Sequence, residues 1–199
     1  MKKVFYLLSL FSGLLFIPLF SQAFSQQELV QQLQQPANVQ GDFIQQRFLR
    51  ALPKPISTQG KFVLLTNQGL LWQMEKPFAN QMRVKADGIS QWNGSQWLAN
   101  GNVAQNEQIR LFLGLLSGNV EALKSQFDLD LQGNAQNWQL RLTPNSLLMK
   151  QIFVDIELQG GANVQQIQLR ETQGDRTLIQ FQQVQQNQPL SAFARQALQ

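Results

Sequence analysis

Asp128 with Asp130, and Asp155 with Glu157, are the side chains whose type and spacing could do chemistry. Each pair lies two residues apart, which on a strand puts both carboxylates on the same face. Paired carboxylates can perform general acid/base work or glycoside hydrolysis. The flanking residues argue otherwise. Phe127, Leu129 and Leu131 alternate with the first pair, and Ile152, Val154, Ile156 and Leu158 with the second, so both pairs are expected on a solvated face. The chain contains no His and no Cys, which removes Ser–His and Cys–His nucleophile pairs, histidine bases and the commonest zinc sites. The acids lack the closely spaced oxygen ligands of a calcium loop. Gly114 and Gly160-Gly161 have no surrounding phosphate-loop pattern. Neither catalysis nor a cofactor or metal is expected.

Binding chemistry is left. The aromatic residues Trp72, Trp92 and Trp138 fall in apolar strand registers, which suits core or pocket wall better than stacking on sugars or bases; Trp97 fits either role. Arg47, Arg50, Lys54 and Lys61 gather around "LPKP" and read as a solvated rim before an acidic-partner or lipid-headgroup site. With Lys2 and Lys3 removed, 14 basic residues face 12 acidic ones, a net +2. That is too little, and too scattered, for nucleic acid.

Removing those lysines follows from the first segment. Lys2 and Lys3, the apolar run Val4 to Phe20 and the small-x-small Ser21-Gln22-Ala23 have the layout of a secretory signal cut before Phe24. The run is short for a membrane anchor and is interrupted by Ser9, Ser12, Gly13 and Pro18. Residues 1–23 are therefore expected to be a cleaved signal and 24–199 one domain, large enough to fold without disulfides.

Ser25 and Glu28 have capping-box spacing ahead of a helix with Leu29, Val30 and Leu33 on one stripe, ended by Pro36. Strands follow: "VQGDFIQQRFLR", "STQGKFVLLT", "GLLWQMEKPF", "NQMRVKA" and "ISQW", with turns at Asn67-Gln68-Gly69, Asp87-Gly88 and Asn93-Gly94. From Asn106 the period turns helical, with Ile109, Phe112, Leu113 and Leu116 on one side and Leu111 and Leu115 on the other. A second short helix is expected from Val120 to Lys124. Strands resume at Phe127 and end with a hairpin around Gln173-Gly174-Asp175, and a short helix starts near Ser191. The abundant Gln residues interleave with apolar ones and form the uncharged wet face of these elements.

About ten antiparallel strands with helices at the start, middle and end predict a mainly β, α+β chain whose sheet curls into an incomplete barrel. "GLLWQMEKPF" is apolar on both faces, as is "KFVLL" before it. One apolar face is expected to meet helices. The other faces either a cavity holding cargo or a packed core; the pattern alone leaves both open.

The combination of "GDFIQQRF", "GKFVLL", the Trp72-to-Pro77 spacing in "WQMEKP", and "ADGISQW" resembles the LolA-like family of periplasmic outer-membrane lipoprotein carriers. The resemblance implies an incomplete antiparallel β-barrel covered by a helical lid and enclosing a hydrophobic cavity for acyl chains. It implies a pocket wall of Phe62, Leu64, Leu70, Trp72, Met74, Val84 and Trp92, and a lid carrying Ile109, Phe112, Leu113 and Leu116. Trp72 at a cavity wall should stabilise the fold less than a packed aromatic does. The implied partners are lipoprotein acyl chains or another lipid, an inner-membrane transporter or exporter as donor, and an outer-membrane acceptor. The implied protein is a monomeric, non-enzymatic carrier in the periplasm of a Gram-negative bacterium. A lipid-sensing or exporter-accessory module on the same fold is the alternative. One departure stands out: Thr66 occupies the place where the family has an Arg tied to lid closure and cargo release.

Overall fold

The structure is a computed structural model that describes residues 24–86, 88–99, 111, 114, 116 and 123–199. The expected signal segment lies outside them. The first helix, α1 (Gln26–Gln34), begins as its sequence dictates. Glu28 N–H donates to Ser25 Oγ at 3.2 Å, and Ser25 N–H donates to Glu28 Oε2 at 2.7 Å. That second bond holds the Glu28 carboxyl below the ordinary carboxylate range. Leu29 and Leu33, one helical turn apart, are buried.

Eleven strands form one continuous sheet: β1 (Asn38–Phe48), β2 (Ile56–Leu65), β3 (Gly69–Lys76), β4 (Asn80–Lys85), β5 (Gly88–Trp92), β6 (Trp97–Ala99), β7 (Phe127–Asn134), β8 (Asn137–Pro144), β9 (Phe153–Gly160), β10 (Val164–Glu171) and β11 (Arg176–Gln186). Their order is β6-β5-β4-β3-β2-β1-β11-β10-β9-β8-β7, with antiparallel pairing throughout. Two meanders are thus joined by one long-range pair, β1 with β11. The sheet does not close, since β6 and β7 are its edges. Turn chemistry sets the hairpins. Asn93 Oδ1 accepts from the N–H groups of Ser95 and Gln96 between β5 and β6, and Gly174 adopts a φ of 90° between β10 and β11.

Two further short helices are described whole, and residues 111, 114, 116 and 123–124 are also helical. α2 (Leu147–Ile152) is capped by the Ser146 hydroxyl, and α3 (Ala192–Leu198) by that of Ser191. The sequence pattern announced α3 but not α2, because Leu147 and Leu148 point to solvent and give no buried stripe. In the same region the expected alternation fails. The β9–β10 register passes from Asp155↔Arg170 to Phe153↔Glu171, leaving Val154 as an extra residue in a bulge. Phe153 is buried, Val154 is 53% exposed and Asp155 is 6% exposed, so the solvated position predicted for Asp155 is corrected.

Candidate functional site

The doubly apolar strands separate two packed faces. On one, Val63, Leu65 and Leu71 are buried against Ala194, Ala197 and Leu198 of α3. Arg83 fastens this layer, lying 4.8 Å over the Trp97 ring and donating to the Ala197 carbonyl at 3.2 Å. A cation at the carbonyl end of a helix is electrostatically favourable.

The other face carries the predicted wall. Phe62 pairs with Trp72, Leu64 with Leu70, and Leu70 with Val84 across adjacent strands, so Phe62, Leu64, Leu70, Trp72 and Val84 share this face and are all buried. Met74 packs against them partly buried. Trp92 is not brought to this wall. Ile89 is the β5 residue opposite Val84, and Trp92, three residues later, falls on the opposite face. There it packs on Trp97 and Phe193, with ring centroids 5.3 and 5.6 Å away. Of the lid residues, Ile109, Phe112 and Leu113 lie outside the described residues. Leu116 is helical and buried in the same apolar cluster as Phe62 and Leu64. Leu111, placed by the sequence pattern on the other side of that helix, joins the same cluster.

Between Leu116, Leu33 of α1 and the sheet residues Phe62, Leu64, Val164 and Phe181 lies a crevice of about 20 Å³. That volume holds about one water molecule. An acyl chain cannot enter it unless a neighbour moves. Val164 and Phe181 are not among the expected wall residues, and Leu33 is expected only as part of the apolar stripe of α1. Their inward periodicity was legible, but the β1–β11 pairing that brings Phe181 beside Phe43 was not.

The acidic pairs have structural partners. Arg170 forms a two-pronged ion pair with Asp155, and hydrogen bonding to that carboxylate holds the guanidinium further toward its charged form. Arg141 donates to Glu157 at 3.3 Å, Asn145 to Asp128 at 3.1 Å and Gln132 to Asp130 at 3.0 Å. Among the described residues no three acidic side chains gather to hold a metal ion. Lys61 of the basic rim pairs with Asp42 at 2.8 Å, which raises its pKa. Thr66 donates its hydroxyl to the Pro36 carbonyl at 2.5 Å and its N–H to the Ala37 carbonyl at 3.1 Å. The β2–β3 turn is thereby tied to the linker that follows α1. No helix among the described residues is long and apolar enough to cross a membrane.

A family profile described as outer membrane lipoprotein carrier protein LolA-like matches residues 20–186. Among proteins of curated function, none matches the chain. A solved LolA superfamily protein from Nitrosomonas europaea is 9% identical, with 84% of this chain and 96% of that one covered and a TM-score of 0.45. MucB, solved alone, is 14% identical over 85% of this chain and 61% of its own, with a TM-score of 0.51. The MucA/MucB complex from Pseudomonas aeruginosa gives 17% identity over 83% of this chain and 57% of that one, with a TM-score of 0.49. The likeness to MucB solved alone is one of fold.

Proposed function

The chain belongs to the LolA-like outer membrane lipoprotein carrier family, and we propose that it is a periplasmic carrier that shields the acyl chains of a lipoprotein or another lipid between the inner and outer membranes. The observation that supports this most is the apolar face shared by Phe62, Leu64, Leu70, Trp72 and Val84, roofed among the described residues by α1, Leu111 and Leu116, with a crevice for about one water beneath Leu116. Burying acyl chain gains about 0.8 kcal/mol per CH₂, on the order of 10 kcal/mol for one long chain. Cargo held that firmly would leave too slowly to be delivered. In the proposed carrier the closed roof opposes loading, because the roof's own apolar contacts must be given up when the chain enters. The net affinity is the difference between the two sets of contacts, which lets cargo be both shielded and released. No covalent step is involved. An inner-membrane transporter or exporter would supply the cargo to the monomeric carrier, and an outer-membrane acceptor would receive it. Residues 1–23 would direct export and be removed.

Native mass spectrometry of the protein purified from its own periplasm tests this reading. A bound acylated molecule is expected, lost when the protein is delipidated. Protein that is ligand-free as isolated, and stays so after incubation with lipoprotein-bearing membranes, would contradict it.

A second reading, a lipid-sensing or exporter-accessory module without shuttling, draws support from the surface. Leu147 and Leu148 of α2 are 82% and 56% exposed, with Lys150 in the same helix. Transfer of labelled lipoprotein between membranes separates the readings, because an accessory module would bind lipid without moving it.

A further inference from the structure

The sheet is continuous in order but has a seam. The β10–β11 ladder runs from Arg170↔Arg176 to Gln166↔Gln180 and stops. Beyond it β11 continues to Gln186 on β1, while β10 continues to Val164 on β9. The cause lies in β11. Opposite Gly41 the register slips, Gln40 pairing with Gln185 and Asp42 with Gln182, and Gln183 takes a φ of 50°. A bulge of this kind bends its strand away from a neighbour. Gly41 permits the close approach, since a Cβ there would stand 2.8 Å from the Gln182 carbonyl oxygen. At the far end the gap is bridged by Gln186 Nε2, which donates to Asn163 Oδ1 at 2.7 Å.

The seam opens to solvent as a cleft of about 530 Å³ lined by six glutamines with Asn163, Ala162, Phe181 and Val184, and by no charged residue. Asn163 and Phe181 line both this cleft and the apolar crevice beneath Leu116. The two spaces therefore share a wall. Val164 and Phe181, inward side chains on either side of the seam, are both buried in the apolar cluster, and Val184 beyond the bulge packs against it partly buried.

We propose that the β10–β11 seam is a lateral mouth of the acyl-binding interior: a chain passes between Val164 and Phe181, and the glutamine-lined cleft outside holds the uncharged ester, amide or hydroxyl groups attached to it. The inference rests on the acyl-carrier reading above and adds the site and head-group class. Primary amides present both donors and acceptors, which suits esters, amides and hydroxyls. A carboxylate or phosphate head would find no cation among the cleft-lining residues, so the mouth discriminates by charge.

Two lipids of equal chain length test it, monopalmitoylglycerol and palmitate. A photoreactive diazirine on the glycerol should give adducts on Gln166, Gln180 or Gln182. The double variant Gln166→Ala with Gln180→Ala should weaken monopalmitoylglycerol by about tenfold, the effect of two lost neutral hydrogen bonds, and leave palmitate unchanged. Both positions are solvent-facing or half-buried, and an unchanged unfolding midpoint checks the fold. Adducts confined to other elements, or equal weakening of both lipids, would overturn the mouth while leaving the carrier reading intact. Failure of the unaltered protein to bind either lipid would remove both.

Discussion

The Trp72 ring stacks on that of Phe43, with centroids 3.7 Å apart and planes inclined by 22°. Phe62 and Phe181 close around the same indole at 6.4 and 6.3 Å, and Trp72 is only 5% exposed. The sequence expectation of a weakly stabilising indole at a cavity wall is thus replaced by that of a packed one. Trp72→Ala should cost about 3–5 kcal/mol, read from the urea midpoint. A loss below about 1.5 kcal/mol would show that the aromatic cluster is not packed in the empty protein.

The second apolar face of "GLLWQMEKPF" is covered by α3. Leu198→Ala should therefore cost about 2–5 kcal/mol, although the residue is next to last in the chain. Denaturation with tryptophan fluorescence would measure it, Trp92 and Trp97 lying against Phe193 of that helix. Wild-type stability in the variant would mean that α3 does not cover the sheet in solution.

Thr66 serves a structural purpose, tying the β2–β3 turn to the linker after α1. Thr66→Val removes the hydroxyl bond to Pro36 but keeps the shape, so a loss of about 1 kcal/mol is expected, together with faster exchange of the residue-66 amide. Unchanged exchange at the residue-66 amide, whose N–H donates to the Ala37 carbonyl, would show that the tie between the β2–β3 turn and the α1 linker is not formed.

The capping box gives a pH dependence of known sign. The Glu28 carboxyl is held below its ordinary pKa by the Ser25 N–H. Its contribution to stability is therefore fully present above the unfolded-state value of about 4.3 and is lost as pH falls through the folded-state value. Glu28→Gln should be less stable than the parent at pH 7, and the gap should narrow by about pH 3. A gap that persists unchanged in acid would mean that the charge plays no part in the cap.

The residues also show where sequence reasoning reached and where it stopped. Capping chemistry at Ser25, a helix starting near Ser191, the Asn93-Gly94 hairpin and the inward facing of Phe62, Leu64, Leu70, Trp72 and Val84 follow from local rules, and the structure carries them as expected. Trp92 went to the wrong wall although the signal was present, because three residues separate it from Ile89 and an odd step changes face. Val154 and Asp155 were misplaced by a bulge, whose cause is pairing with β10 and not anything local to β9. The seam between β10 and β11 was similarly hidden. Gln183 and Gly41 produce it together, yet they lie on strands paired only through the long-range β1–β11 contact. Periodicity reports which way a side chain faces and is silent on where strands part.

In the proposed carrier, acyl chain enters between the sheet and the Leu116 roof. Nuclear Overhauser contacts between a uniformly ¹³C-labelled palmitoyl chain and the leucine methyls of the protein test it most directly. Contacts to Leu33, Leu64 and Leu116 are predicted, with none to Leu147 or Leu148. Contacts confined to Leu147 and Leu148, with the interior methyls unchanged on saturation, would contradict it.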